Sequence, residues 1–117
     1  MYELTFEKLR KTNDRRSIEW GDHVPILDDV EFCAIELGGE TGELLNVIKK
    51  LLRYKHGMRG GISLAESRQS IEDELADVVI CVDRLASCFD IDLGLAVRRK
   101  FNKTSDKQKL KTIIENE

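Results

Sequence analysis

Proline is nearly absent from this chain, with a single residue in 117, and aromatic side chains make up only 6%. One proline leaves little to interrupt long helices, and no segment reads convincingly as a strand. Val78-Val79-Ile80-Cys81-Val82 is β-rich locally, but it sits inside a longer pattern with the 3.6-residue period of a helix. No apolar run approaches the length needed to span a bilayer. The N-terminal Met1-Tyr2-Glu3-Leu4 lacks the basic and apolar regions of a signal peptide. No Cys-x-x-Cys pair is present, which argues against a thiolate zinc site. The three cysteines, Cys33, Cys81 and Cys88, lie in apolar helical contexts and read as reduced core thiols of a cytoplasmic protein. A net charge of −3 gives no global basic field, so neither nucleic acid nor a membrane surface is an expected partner. Internal repeats, low-complexity stretches and linkers are also missing.

What is present is 35% charged and 41% hydrophobic sequence in helical periodicity, in a length that suits one domain. The expected class is all-α. Helices are expected over about 3–20, 29–54, 64–89 and 93–101, with a break at 21–28 around Gly21 and Pro25. Asp28, Asp29 and Glu31 suit a helix N-terminus, where negative charge is favoured. Lys49, Lys50 and Arg53 suit the C-terminal end of the same helix. His56-Gly57-Met58-Arg59-Gly60-Gly61 ends that helix, and Ser63-Leu64-Ala65-Glu66 has the form of a capping box. The polar, Lys-rich tail 102–117 shows no stripe until Leu110, Ile113 and Ile114, and is expected to be extended, partly disordered or docked on a partner subunit. Long helices joined by short loops imply an antiparallel bundle. Two long and two short helices give it a thin core, so oligomerisation is expected.

Two acidic motifs interrupt the apolar pattern: Glu40-Thr41-Gly42-Glu43 and Glu74-Leu75-Ala76-Asp77. Residues three or four apart share a helix face. Glu36, Glu40 and Glu43 therefore fall on the stripe of Cys33, Leu44, Val47 and Leu51, which should be buried. Glu74 lies at the edge of the stripe Ile71, Leu75, Val78, Val82, Leu85 and Phe89, with Asp77 beside it. Carboxylates aimed at a helix interface need compensation. A divalent cation supplies it, and oxygen-only ligands suit Mg²⁺ or Mn²⁺. Such a site can bind nucleotide phosphates and lower the pKa of a water. The bland alternative is a solvated acidic face.

The string Glu36-Leu-Gly-Gly-Glu40-Thr-Gly-Glu43-Leu-Leu-Asn-Val-Ile-Lys-Lys50, followed by Glu72-Asp-Glu74-Leu-Ala-Asp77-Val-Val-Ile, resembles the MazG-like nucleoside triphosphate pyrophosphohydrolases of the small single-domain bacterial or phage type. The likeness extends to Lys100-Phe101-Asn102-Lys103-Thr104-Ser105 and to the Asn13/Arg16/Trp20 pattern, covering about residues 13–111. It implies an all-α bundle completed between subunits, a homodimer or homotetramer, and Mg²⁺-dependent hydrolysis of a (d)NTP to the monophosphate and pyrophosphate. Glu40, Glu43, Glu74 and Asp77 would be the metal ligands. Many members have a further Glu directly before the first motif, where this chain has Gly39. Glu36, one turn earlier, offers a carboxylate on the same face, which leaves Glu36 and Glu40 as candidates for the general base.

The same likeness points Lys100 and Asn102, after the last helix, toward phosphate or sugar. The alternative for both is an ordinary polar helix end. Lys50 is a further candidate for the phosphates. Asn13, Arg16 and Trp20 share one face of the first helix with Phe6 and Leu9. Trp20 can stack on a base while Asn13 bonds an edge, or it can anchor its helix to the bundle. The basic loop from Arg53 to Arg59, His23, His56, Arg98 and Arg99 read as surface. Glu72, Asp73 and Asp83 point away from the acidic cluster by helical angle and are expected to be solvated. Relatives selective for dCTP or dUTP, or acting on phosphoribosyl-ATP, keep the fold and change the substrate. A helical interaction protein that keeps the metal only for stability is a rival from another class.

Overall fold

Every helix start in this chain has an acceptor side chain in place. Asp29, in extended conformation, accepts the amide hydrogens of Glu31 and Phe32. Ser63 accepts that of Glu66, and its hydroxyl donates to the Glu66 carboxylate. Asp92 accepts that of Leu95, and Thr5 that of Lys8. Each such cap stabilises its helix by about 1 kcal/mol. The computed structural model describes residues 3–21 and 29–116. These form α1 (Phe6–Gly21), α2 (Val30–Lys55), α3 (Leu64–Cys88) and α4 (Leu93–Lys107), with no strand among the described residues. Pro25 and His23 lie outside them. No described helix is long and apolar enough to cross a membrane.

Helix ends are equally regular. After α2, the amide of Met58 bonds back to Arg53 O and that of Gly57 to Tyr54 O. Ile91 and Asp90 repeat the pattern on Ala86 and Ser87, and Leu110 and Lys109 on Ser105 and Asp106. All three are Schellman endings, in which one residue adopts a left-handed conformation. That residue is Gly57 after α2, but Asp90 (φ 53°) and Lys109 (φ 58°) after α3 and α4. The loop after α2 is therefore held by backbone bonds, and Ile62 N–H donates to Lys50 O as the chain turns into α3.

The antiparallel α2–α3 hairpin is the main packing unit; α1 lies along α3, and α4 touches α1. Leu44, Val47, Ile48 and Leu51 of α2 and Ile71, Val78, Val82 and Leu85 of α3 are half-buried. Leu75 (49% exposed) and Phe89 (58%) do not follow the expected burial of their stripe. Two helices cover each other on one side only, so the outer part of each stripe has no neighbour. Among the described residues, Cys33 and Ala86 are the buried hydrophobic ones. The chain exposes 9467 Å², whereas a compact monomer of 13.4 kDa exposes about 6,500 Å². Its radius of gyration is 17.6 Å, against about 13 Å for a compact domain of this length.

Two expectations are corrected here. Asp83 is not solvated; it is 0% exposed. It does point away from the acidic cluster, but toward α1. There Arg10 Nε reaches its Oδ1 at 3.0 Å and Asn13 Nδ2 reaches its Oδ2 at 3.1 Å. Breaking a buried pair of this kind by removing one partner costs about 3–5 kcal/mol. The last helix does not end at Phe101 but runs on to Lys107. Lys100 and Asn102 are thus within α4 rather than after it. The continuation lacks an apolar stripe because its inner face is polar. Ser105 is buried, and Asn102 bonds both the N–H (2.8 Å) and the C=O (3.0 Å) of Ile114. The extended segment after α4 is pinned by that side chain, which mimics a strand partner.

Candidate metal and nucleotide site

Glu40 and Glu43 project from α2, and Glu74 and Asp77 from the antiparallel α3. Glu40, Glu74 and Asp77 each offer an oxygen, and these oxygens lie within 4.8 Å of one another. Glu43 falls outside that trio and is exposed, although its charge still acts on both neighbouring glutamates. Burial pushes the Glu40 carboxyl above its ordinary range, and the charges of Asp77, Glu43, Glu74 and Glu36 add to the effect. Glu74 is raised by the same cause, reinforced by Glu43, Asp77 and Asp73. Oε2 of Glu74 is buried with no hydrogen-bond partner. Among the described residues no ion pair reaches Glu40, Glu74 or Asp77. Three converging carboxylates with an orphaned oxygen and no ion pair among the described residues form an under-neutralised site. Its all-oxygen donor set fits a hard divalent ion.

A cleft of about 270 Å³ opens beside this trio. Glu36, Glu40 and Phe32 form its α2 wall; Asp77, Ile80, Cys81 and Arg84 form its α3 wall; Asn13, Arg16, Ser17 and Trp20 of α1 complete it. The N-terminal triplet is thereby brought to the acidic cluster. Trp20 is 78% exposed, so it does not anchor α1 to the bundle. The Arg16 guanidinium lies 5.9 Å from its ring centroid, within the range of a cation–π contact. Asn13 is only 5% exposed. Its Nδ2 already donates to Ile80 O and to Asp83, so its amide hydrogens are engaged within the fold. Glu36 is exposed at the rim.

Lys50, Lys100 and Asn102 do not line this cleft. Lys50 sits ten residues past Glu40, about 15 Å along α2. Asn102 borders a separate hollow of about 800 Å³ between α4 and the C-terminal segment, with Arg98, Arg99 and Ile114. Lys100 is exposed on α4. Asp73 and Glu72 are exposed, bonded to Gln69 and Arg68, and His56 is exposed at the end of α2.

Cys81 reads from sequence only as a core thiol, and Arg84 carries no expectation. Their signal was available, since Asp77, Ile80, Cys81 and Arg84 follow the 0, 3, 4, 7 spacing of one helix face. Burial and the carboxylates of Glu36, Glu40 and Asp77 push the Cys81 thiol up to about 11, so it stays protonated at neutral pH. Arg84 donates to Asp14 of α1 at 3.1 Å, and Ser87 donates to the same oxygen at 2.9 Å. Behind the cleft, the Cys33 and Cys88 sulfurs are 3.4 Å apart. The Cys33 thiol is raised to about 11, chiefly by burial and then by Cys88.

Residues 31–111 match the family model for the MazG nucleotide pyrophosphohydrolase domain. The Gene 37 protein of Mycobacterium phage L5 is 32% identical over 82 residues, covering 70% of this chain and 68% of the phage protein. No solved structure matches the chain. The matched span contains both acidic motifs and the helices that bring them together, and the chain belongs to the MazG nucleotide pyrophosphohydrolase domain family.

Proposed function

We propose that the protein is a Mg²⁺-dependent hydrolase that cleaves a (d)NTP to the (d)NMP and pyrophosphate, with a role in cleaning the nucleotide pool. The observation that carries this reading is the Glu40–Glu74–Asp77 group with the unpartnered Glu74 oxygen, beside a cleft with room for part of a nucleotide. Glu40, Glu74 and Asp77 would hold Mg²⁺ (or Mn²⁺), with Glu43 at the edge of the set. The ion supplies neutralisation of the triphosphate charge and a lowered pKa for a water. The chain's own residues do the rest. Glu40, or Glu36 at the rim of the cleft, would accept the proton of the attacking water. Arg16 brings positive charge to the cleft opposite Glu36, Glu40 and Asp77, and Trp20 offers an open aromatic face for a base.

The surplus exposed surface supports a homodimer or homotetramer. A role for Lys50, Lys100 or Asn102 at the phosphates requires a second copy or a substrate that reaches beyond the cleft. The test is to incubate the purified protein with each NTP and dNTP, and with phosphoribosyl-ATP, in Mg²⁺ and to resolve the products. Monophosphate plus pyrophosphate, lost in Glu74→Gln, is the expected result, and the relative rates rank dCTP, dUTP and the others. Diphosphate plus phosphate would overturn the proposal. So would full activity in both Glu43→Gln and Asp77→Asn. Metal-dependent thermal stabilisation without turnover would identify a non-catalytic interaction protein instead.

A further inference from the structure

Helix α1 carries two of the cleft's exposed walls, Arg16 and Trp20, yet among the described residues its apolar packing is slight: Leu9 is half-buried and Phe6 lies against Gly94 of α4. The buried residues of α1 are Asn13 and Gly21, while Phe6, Ile18 and Trp20 are exposed. What fastens it is polar. Asp83 of α3, the most enclosed charged side chain described, receives Arg10 on one carboxylate oxygen and Asn13 on the other. Arg10 also reaches Ile91 O at 2.7 Å, and Asn13 reaches Ile80 O at 3.1 Å.

A buried ion pair is weak evidence for stability, since apolar groups of the same volume would often hold a helix as well. Its distinctive property is geometry. Hydrophobic contact lets a helix slide or roll by a fraction of a turn, whereas two oxygens bonded to two different side chains fix both its height and its rotation. Arg16 is three residues beyond Asn13 and Trp20 seven beyond, so both lie on the face whose register Asp83 sets. Asp83 itself lies six residues past Asp77, about 9 Å along the same helix. One helix thus carries both a carboxylate of the acidic trio and the group that locates the opposite wall.

We infer that Asp83, acting through Arg10 and Asn13, is a positioning residue that sets α1 in register on α3 and so holds Arg16 and Trp20 over the Glu40–Glu74–Asp77 cluster. The inference rests on the proposed nucleotide site for its kinetic consequence, and on the fold alone for its structural one. Two variants test it, Asp83→Asn and, in case that one fails to fold, Arg10→Gln on the less enclosed side of the pair. Hydrogen exchange without metal or nucleotide should accelerate over residues 6–21 and remain as in wild type over α2 and the first half of α3. Turnover of the best nucleotide should show KM raised about tenfold, the value of one aromatic or guanidinium contact, with kcat within about threefold. Arg10→Lys, which keeps the charge, should recover most of the KM. A merely structural role would instead speed exchange everywhere and lower kcat with KM unchanged, and that result would overturn the inference. Unchanged exchange in α1 would overturn it as well. If wild type turned over no nucleotide, the proposed function would fail while the exchange pattern still decided the register role.

Discussion

Gly61 is the position at which one methyl group should do the most harm. A Cβ built there would stand 2.3 Å from Tyr54 N, 2.5 Å from its Cα and 2.9 Å from Arg53 C. All three are backbone atoms of the last turns of α2, so no rotamer change relieves the overlap. The loop must back away, and two things next to it go first. One is the Ile62 N–H bond to Lys50 O; the other is Ser63, two residues on, which caps α3. Losing a backbone bond and a cap together amounts to about 2–3 kcal/mol, or about 10 °C in Tm for a domain of this size. Gly39→Ala is the control, because nothing lies within 4 Å of its Cβ. Mid-helix Gly to Ala should stabilise by about 1 kcal/mol. Thermal unfolding by circular dichroism, at one fixed protein concentration, measures both. Since the loop sets the register of α2 against α3, Gly61→Ala should also weaken binding of Mg²⁺ at the proposed site, whose carboxylates lie 13 (Glu74), 16 (Asp77) and 21 (Glu40) residues away along the chain. A Gly61→Ala protein melting within 2 °C of wild type (roughly half a kcal/mol) would refute the steric argument.

Other consequences can be checked with the same instruments. Glu40 and Glu74 have raised carboxyl values in the fold, so the folded state binds more protons than the unfolded one. Their charge therefore costs the metal-free protein stability as pH rises from the ordinary 4.5 through the raised values, and the cost is constant above them. Glu74→Gln should melt higher than wild type at pH 8 without metal, lose that advantage toward pH 4.5, and gain less from Mg²⁺; equal melting at pH 8 would contradict this. Asp90→Gly and Lys109→Gly relieve left-handed non-glycine residues and should each raise stability by about 1 kcal/mol, measured by urea unfolding. Asn102→Ala removes both bonds to Ile114 and should quicken tryptic cleavage after Lys109 and Lys111 with little change in Tm.

The parts of this fold that were readable in sequence are those governed by local chemistry. Asp29 and Ser63 cap the helices they were expected to begin, and three glycines between 57 and 61 end α2. The acidic motifs were legible because i, i+3 spacing fixes a shared face whatever the tertiary context. Asp83 was misread because a helical angle says which way a side chain points and not what stands there. Its partners come from α1, some seventy residues earlier. The end of α4 was hidden for a related reason. Thr104, Ser105 and Asp106 carry no apolar stripe; the returning chain meets α4 through polar bonds, Asn102 to Ile114 and Leu110 N–H to Ser105 O. The left-handed Asp90 and Lys109 gave no signal, since the usual marker of such an ending is glycine. For Trp20 the sequence left two readings open, a platform for a base and an anchor of its helix. Large aromatic side chains usually fasten a helix, but here the fastening is polar and the ring is left open at the cleft.

That polar fastening also governs how α1 lets go. Denaturants act in proportion to newly exposed surface, and the heat-capacity change of an opening follows its apolar share. Detaching α1 uncovers Asn13, Gly21 and Asp83 but little hydrocarbon, so its release has a small m-value and a nearly temperature-independent enthalpy. Local opening of that wall of the cleft is thus governed by the hydrogen bonds of Arg10, Asn13 and Asp14 to α3 more than by apolar burial.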